Sequence, residues 1–394
     1  MAQDPTFNEL SATTKADIRN AVVWNNYWVD TPLQDHFRRN GVVDPFLGGN
    51  SMQETFLYGG PTGGAVSPGQ TVTVNRSQIV AAQQFMPKAY ASWFSYDDFE
   101  MAPDGGGVMN SGEPAAVDLY QVYVEGLTSR LNTLQELDFF RHGQASATNG
   151  GGTGVNDDRS LAINGASEGC NDGVTPSWDG NIFTSYGSQV RNGAIGNALN
   201  SIPFFFGNSD GTAGQISFEG MLEMYQGSFD RPDIGVTSKI GYTYIAALYQ
   251  RQQRYDTSIT KGDGIRWKGL QFEDAIIYDD WLTPSAVDPG FLPTSLVGSV
   301  GGQPNLTGTF TSPAVTPAAS HLPASKTITV GETLWFFTGS SWKMRPTNKK
   351  EWFFGVRETQ AYDNVSMNAM FMKWAGNVYT TIARNNRQGY GFSS

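Results

Sequence analysis

Residues 113–143 read EPAAVDLYQVYVEGLTSRLNTLQELDFFRHG and predict one long amphipathic helix. Apolar side chains recur there at alternating intervals of three and four residues, which places them on a single helical face: Val117, Tyr120, Val124, Leu127, Leu131 and Leu134. Pro114 suits the first helical turn, where its missing N–H costs nothing, and Gly143 marks the end. Helices in globular domains average about 11–12 residues. We therefore expect this helix, over about residues 113–142, to be a spine on which the rest of the chain packs.

The composition indicates a large core and a surface with few charges. The chain has 394 residues, 39% of them hydrophobic and 13% aromatic, which is enough for two or three domains. Only 16% are charged, against about 25% in an average protein. Such a surface is expected where subunits cover one another, although a β-rich monomer with a big core would have the same composition. The net charge of −11 argues against a dedicated nucleic-acid-binding protein.

Several other classes of protein are excluded by what the sequence lacks. The single cysteine, Cys170, allows neither an internal disulfide nor a thiolate metal cluster. No apolar run is long enough to span a bilayer, so we expect no membrane partner. The first residues, MAQDPTFNEL, lack the basic and apolar regions of a secretory signal. We therefore expect the chain to mature in a cytoplasm.

The sequence before the spine predicts an arm and a ribbon. Residues 1–50 read as an arm with short helical pieces, including one over residues 14–28. Residues 56–58 and 70–80 read as extended segments joined by a glycine–proline tip, with clean alternation over residues 71–74. A two-stranded ribbon of this kind is marginally stable alone. It therefore needs a neighbour, in its own chain or in another.

The sequence after the spine predicts a polar connection followed by a mixed α/β region. Residues 143–185 form a long glycine-rich connection, of a kind that is often functional or insertional. Further on, helices are predicted over residues 217–226 and 238–255, and strands over 233–237, 267–279, 333–338, 341–345, 352–360 and 367–382. The last strand carries apolar side chains on both faces, so we expect both faces to be covered. Residues 283–330, rich in Pro, Ser, Thr and Gly, read as an exposed insertion and not as core.

The motifs that could carry chemistry are weak. Residues 165–169 (GASEG) match a nucleophile elbow, but the sequence that follows cannot form the helix that this motif requires. The three histidines are too scattered for a metal site, and the acidic pair Asp279 and Asp280 is expected to be solvated or salt-bridged. Arg384 and Arg387 read as subunit contacts or as part of a solvated tail. We therefore predict no catalytic, cofactor-binding or metal-binding residue.

The chain resembles the major capsid proteins of tailed bacteriophages that have the HK97-like fold. The spine helix carries the resemblance together with three later stretches: residues 229–238 (FDRPDIGVTS), 269–279 (GLQFEDAIIYD) and 374–389, which closes on RNNRQG. Each motif is loose, but their order and spacing are fairly specific. The resemblance implies an α+β fold with an N-arm, an extended E-loop β-ribbon, a P-domain that contains the spine helix, and an α/β A-domain.

The resemblance also implies domain limits. Residues 1–50 would be the N-arm and 51–92 the E-loop, lying across a neighbour. Residues 93–189 and 341–394 would form the P-domain, and residues 190–340 the A-domain, with 283–330 as its insertion. Some family members weld their shells by an isopeptide bond from an E-loop lysine to an asparagine. We expect none here, because no lysine lies between Lys15 and Lys88.

The function that the resemblance implies is structural and not enzymatic. The chain would self-assemble into the pentamers and hexamers of an icosahedral shell around double-stranded DNA, with weak, non-specific DNA contact. It would reside in the virion after assembly in the host cytoplasm, with portal and scaffolding or cement proteins as further partners. Two alternatives stay open: a nanocompartment of the same fold around a cargo enzyme, and a β-rich carbohydrate-active enzyme or adhesin. The residues expected at subunit contacts are Trp24, Phe56, Tyr58, Val72, Val74, Arg384 and Arg387.

Overall fold

A computed structural model describes residues 32–40, 42–46, 48–61, 63–71, 78–97, 119–140, 162–250, 257–260, 266–285, 309–347, 354–360 and 367–393. Its helices α1 to α5 are Pro32–Asn40, Leu119–Phe140, Ala166–Gly169, Phe218–Gln226 and Lys239–Gln250. Its strands β1 to β19 are Val42–Val43, Met52–Leu57, Val80–Phe85, Lys88–Asp97, Ser185–Tyr186, Gln189–Val190, Phe204–Phe205, Gly214–Gln215, Ile234–Thr237, Thr257–Thr260, Arg266–Phe272, Ala275–Asp279, Thr309–Thr311, Thr327–Thr329, Glu332–Phe337, Trp342–Pro346, Phe354–Gln360, Met367–Thr380 and Arg387–Ser393.

A five-stranded sheet is built around β18. This strand runs antiparallel to β4 along one edge, and along the other edge it pairs with β17 and then with β16. β1 extends the sheet beyond β16 in the parallel direction. The spine helix α2 lies across this sheet and buries Leu127 and Leu131 against Met370 and Met372. A long helix on an antiparallel sheet is the arrangement expected for the spine, as far as residues 119–140 are concerned.

A mixed eight-stranded sheet forms the other main layer. Its order is β10-β11-β12-β9-β15-β19-β7, and β8 also pairs with β19. β9 and β12 are parallel, which requires a crossover connection, and α5 follows β9 directly. Ser238 caps the start of α5, since the Gly241 N–H donates to the Ser238 hydroxyl at 2.9 Å. Ser217 caps α4 in the same way, and both helices pack on one face of the sheet.

Strand β15 explains why both faces of this sheet are apolar. All of its residues are buried. Leu334 and Phe336 join the cluster beneath α4 and α5, whereas Trp335 and Phe337 join the cluster on the opposite face. On that opposite face the Phe337 ring packs edge-on against Phe139, at the end of α2, with 5.5 Å between ring centres. The C-terminal end of α2 therefore lies between the two sheets.

The buried face of α2 changes along the helix. Leu127 and Leu131 are buried, whereas Val124 and Leu134 are half-buried. Val117 and the side chain of Tyr120 lie outside the described part of the chain. Residues 135–140 are buried except for half-buried Asp138, because this end enters the space between the sheets. A single apolar stripe, which is all that helical periodicity can predict, does not anticipate burial on every side.

The predicted limits of the arm and the E-loop need correction. α1 packs Leu33 and Phe37 into the main core, where the Phe37 ring stacks on Trp342 at 5.6 Å. Residues 32–46 therefore belong to the body of the chain, and the predicted arm before them, with Trp24, lies outside the described residues. The ribbon, in turn, ends at Phe85, because β4 is already paired with β18 from Lys88 onward.

Two stretches predicted to be peripheral belong to the core. Leu322, Ile328 and Val330 are buried in the main cluster. The prediction of an exposed insertion is therefore wrong for this part of residues 283–330. Their spacing among polar residues hides them from a composition argument. The prediction of a solvated tail is wrong as well, because β19 lies between β15 and β7 and residues 388–392 are buried. This strand belongs to the eight-stranded sheet and not to the predicted P-domain.

Glycine explains why β19 escapes prediction. Gly391 has a φ of +89°, and a Cβ there would lie 2.2 Å from the Phe205 ring. Gly389 similarly leaves room for the Phe206 ring and the Met224 sulfur. Glycine in a strand interior normally weakens a strand. Here it lets bulky neighbours approach the backbone, so a sequence with low β-propensity becomes a central strand.

The described part of the predicted polar connection is also interior, and Arg191 organises it. The Arg191 guanidinium is buried and donates to the backbone carbonyls of Leu199 at 3.2 Å, Phe183 at 3.0 Å and Glu168 at 2.5 Å. It also lies over the Tyr186 ring, 5.3 Å from the centre. Burial lowers the pKa of Arg191 to about 10, so it stays charged at neutral pH. One side chain therefore connects three separate segments of the chain.

Arg191→Met should destabilise the subunit by about 3–5 kcal/mol, because three buried carbonyls lose their donor. Thermal and urea unfolding of the unassembled subunit measure the loss. Arg231→Met is the matched control: Arg231 pairs with Asp274 at 2.7 Å, but both side chains are exposed, so we expect no measurable loss of stability. Equal losses in the two variants would contradict the role given to Arg191.

A buried carboxyl pair joins α2 to the end of β12. The Glu136 carboxyl accepts the Leu33 N–H at 3.1 Å, and the Asp280 carboxyl accepts the Leu282 N–H at 2.8 Å. The other oxygen of each carboxyl group, Oε2 of Glu136 and Oδ2 of Asp280, is buried without a hydrogen-bond donor among the described residues, so we expect the two groups to share a proton. Burial raises the pKa of Glu136 well above its ordinary value and that of Asp280 to about 6. The expected solvated or salt-bridged state of Asp280 is therefore wrong.

This pair predicts a loss of stability as the pH rises. Because the folded-state pKa of Asp280 is raised to about 6, its contribution is complete below about pH 4 and is lost as the pH rises through about 6. In Glu136→Gln the amide donates to Asp280 without a titrating proton. We expect this variant to be more stable than wild type by about 1–3 kcal/mol at pH 8 and to depend less on pH.

Thermal melts between about pH 4 and about pH 8 test this expectation. Glu219→Gln, which changes an exposed carboxylate on α4, should follow the wild-type curve. Parallel curves for wild type and Glu136→Gln over this range would show that the pair shares no proton.

Candidate assembly surfaces

The base of the ribbon is anchored in the body of the same chain. Met52, the first residue of β2, pairs with Phe85, the last residue of β3, and both are buried. The Phe85 ring stacks on Tyr379 at 4.0 Å. The Glu54 carboxylate accepts from the Lys343 ammonium at 2.6 Å and from the Tyr379 hydroxyl at 2.9 Å. Gly187 makes this docking possible, because a Cβ there would lie 2.8 Å from both Gln83 and Phe85. The ribbon therefore leaves the body in a fixed direction.

The distal part of the ribbon is exposed within the described chain. β2 and β3 pair only with each other, from Met52↔Phe85 to Leu57↔Val80. Leu57 is 70% exposed and Val66, in the tip, is 60% exposed. Phe56 and Tyr58 are half-buried, with their ring centres 6.4 Å apart. Val72 and Val74 lie outside the described residues, so the predicted contacts there stay predictions.

A second exposed apolar surface lies on the five-stranded sheet, on the face away from α2. Trp93 is 71% exposed and stands opposite Phe371 across the β4–β18 pair. Lys373, on the same face, has its ammonium 4.8 Å from the Phe371 ring centre. The expectation that both faces of β18 are covered is thus wrong for residues 369–373 of the described chain. Sequence reasoning missed Trp93, although the alternation of β4 contained the signal.

The two predicted arginine contacts lie in different environments. Arg384 is exposed, and its guanidinium carbon is 5.2 Å from the centre of the exposed Phe229 ring. Arg387 is half-buried at the start of β19, and its Nη1 donates to the Ile202 carbonyl at 3.2 Å. Phe229 was not singled out by the sequence. Subunit contact by either arginine stays a prediction.

The weak catalytic motif is a packing motif. Ser167 lies in α3, fully buried, and its hydroxyl donates to the Phe140 carbonyl at 2.5 Å and accepts from the Trp178 indole N–H at 2.9 Å. Its role is to fasten α3 to the end of the spine. Burial raises the pKa of the Cys170 thiol far above its ordinary value, which keeps it protonated.

Within the described ranges, no group of three or more His, Cys, Asp or Glu side chains is placed to hold a metal ion. Nor does any helix of the described chain combine the length and the apolar character needed to cross a bilayer.

Comparison with known proteins finds relatives by structure and not by sequence. No family model and no curated protein sequence matches the chain. The solved capsid asymmetric unit of cyanophage A-1(L) is similar with a TM-score of 0.61 at 10% identity, over 99% of each chain. The capsid of a native GTA particle has a TM-score of 0.51 at 7% identity, over 98% of this chain and 100% of that one.

A third solved structure of the same shape is the holo-SrpI encapsulin complex from Synechococcus elongatus. Its TM-score is 0.51 at 6% identity, over 96% of this chain and 93% of that one. These likenesses extend over nearly the whole length of every chain compared. The chain therefore has the HK97-like fold, and the α+β class implied by the resemblance is confirmed.

Proposed function

We propose that the chain is the structural subunit of a closed icosahedral shell that encloses double-stranded DNA. The observation that carries the proposal is a ribbon that is anchored at its base and bare at its tip, on a fold shared with the capsid of cyanophage A-1(L). A two-stranded ribbon gains its stability from a third element. In a shell, that element is the neighbouring copy.

The exposed apolar surfaces support the same proposal. Burying apolar area stabilises an assembly by about 25 cal/mol per Å², and obligate interfaces bury about 2,000–5,000 Å². Trp93, Leu57 and Phe229 are large apolar side chains that are each at least 70% exposed in the single chain. They are available for contacts between copies. Within this proposal the chain acts through assembly and not through catalysis, in the virion, after assembly in the host cytoplasm.

The likeness to an encapsulin favours one second candidate, a nanocompartment around a protein cargo. The two candidates share the shell and differ in its contents. The net charge of −11 argues against tight DNA binding by the shell wall in either candidate. Portal and scaffolding or cement proteins belong only to the first proposal.

Expression of the chain in a bacterial cell, followed by sedimentation and negative-stain electron microscopy, tests the common part of both proposals. We expect closed particles of uniform size. Purification of native particles then separates the candidates: encapsulated DNA that resists nuclease supports the capsid, and a stoichiometric enclosed enzyme supports the nanocompartment. A stable monomer at every concentration would overturn both.

A further inference from the structure

A groove follows the outside of the body from strand β2 to Arg387. It consists of two cavities, one of about 610 Å³ beside the ribbon and one of about 570 Å³ beside Arg387. Asn197, Phe229 and Arg384 line both cavities, so the two adjoin along these residues. The two adjoining cavities therefore form one elongated groove, which suits an extended segment of chain as well as a small molecule.

The end of the groove beside the ribbon contains an apolar patch. Leu57, Phe229 and Ile382 line it and are exposed, and Ile195 and Leu199 form buried parts of its wall. Among these, Phe229 is 73% exposed although its neighbour Pro232 is buried. An apolar side chain placed here would cover all three exposed groups at once.

The other end of the groove carries two guanidinium groups without acidic partners. Within the described ranges, neither Arg384 nor Arg387 forms an ion pair. The Nε of Arg387 is buried and has no hydrogen-bond partner. Burial and the neighbouring charge of Arg384 lower the pKa of Arg387 to about 10, yet it remains a cation at neutral pH.

The two carboxylates of the groove are already engaged elsewhere. Glu54 accepts from Lys343 at 2.6 Å, at the base of the ribbon. Asp172 accepts the N–H groups of Val174 at 2.9 Å and Thr175 at 2.6 Å, and also the Thr175 hydroxyl. Within the described ranges, neither carboxylate forms an ion pair with Arg384 or Arg387. The groove therefore offers an apolar site followed by a site for a carboxylate.

We propose that this groove binds an extended acidic segment of a second copy of the chain, with a carboxylate at Arg384 and Arg387 and an apolar side chain against Phe229 and Ile382. The inference rests on the proposed shell function. Charge complementarity favours a second copy, because the chain has 37 acidic residues and 26 basic ones. One wall of the groove is β2, so the groove is continuous with the proposed ribbon interface. A nucleic-acid strand fits less well, because the chain carries a net charge of −11.

Charge reversal at the exposed arginine is the first test. Arg384→Glu should leave the unassembled subunit with unchanged unfolding but raise the protein concentration needed for particles by about tenfold or more, as expected for a central arginine. Added salt should weaken wild-type assembly more than that of the variant. Lys326→Glu makes the same change in net charge at an exposed site outside the groove, and it should assemble like wild type. Equal assembly by wild type and Arg384→Glu would overturn the proposal.

A photo-crosslinker in place of Phe229 identifies the occupant. Particles assembled from an equal mixture of unlabelled and ¹⁵N-labelled subunits should yield cross-linked peptides of mixed isotope content, with an acidic residue near the cross-link. Cross-links confined to one copy, or a cross-link to nucleic acid, would overturn the proposal. These failures differ from failure of the shell function itself, in which wild type forms no particles and this inference fails with it.

Discussion

A subunit whose ribbon tip is replaced by a short turn should fold normally and form no particles. The variant joins Tyr58 to Ile79 through Asn-Gly in place of residues 59–78. The Tyr58 N–H already donates to the Ile79 carbonyl at 3.1 Å, which is the geometry that flanks a two-residue hairpin turn. The register of β2 and β3 is thereby kept.

The expected separation of folding from assembly follows from where the ribbon is held. In the described part of the ribbon, the buried residues are Met52, Gln83 and Phe85, all near its base, and none of them is removed. Closing a shorter loop costs less entropy, so the free energy of unfolding should change by about 1 kcal/mol or less. Assembly, in contrast, loses the whole contact made by the tip.

Circular dichroism and thermal unfolding measure the first half of this expectation, and sedimentation measures the second. A Gly/Ser replacement of equal length is the control, since it keeps the reach of the ribbon but removes apolar groups such as Val66. We expect it to fail in assembly as well. If either variant formed particles of wild-type stability, the ribbon tip would not be a contact between subunits.

Leu131→Asp should abolish the folded subunit. Leu131 is fully buried between α2 and the five-stranded sheet, beside Met370 and Met372. Truncating a buried leucine costs about 2–5 kcal/mol, and an unpaired buried carboxylate costs several kcal/mol more. Domains are stable by only about 5–15 kcal/mol. We therefore expect the variant chain to accumulate in the insoluble fraction.

Asn132→Asp is the matched control, one residue further along the same helix. The Asn132 side-chain oxygen accepts from the Arg38 guanidinium at 2.8 Å. A carboxylate there keeps this bond, so the same added charge should cost about 0.5 kcal/mol or less. A soluble, cooperatively unfolding Leu131→Asp subunit would show that this face of α2 is not core.

The parts of the fold that the sequence predicts are those with strong local signals. The periodic apolar residues of α2 predict its helix, and the serines at 217 and 238 predict the starts of α4 and α5. Residues 233–237 (DIGVT), with Ile234 and Val236, predict the buried strand β9. In each case a side-chain pattern and a backbone requirement coincide within a few residues.

The parts that it fails to predict depend on distant partners. β19 is a central strand because Phe205 and Met224 pack against its glycines, and both lie more than a hundred residues earlier. Asp280 is buried close to Glu136 on the spine helix, and burial together with this neighbouring carboxyl raises the pKa of Glu136. Nothing within a local window of sequence contains either fact.

The candidate surfaces divide in the same way. The ribbon was predicted from alternation and a glycine-rich tip, and Arg384 from its position after a strand. The groove that joins them was not, because it forms only where residues 195–199, Phe229 and Ile382 meet. Concave surfaces are a property of the assembled fold and leave no trace in spacing.

A cryo-electron microscopy reconstruction of the assembled chain shows directly whether the ribbon tip contacts a neighbouring copy, through the position of residues 59–78. We predict a closed icosahedral shell in which this tip lies on the body of an adjacent copy. A monodisperse single molecule in which the tip packs on its own body, with Leu57 and Trp93 covered by the same chain, would contradict it.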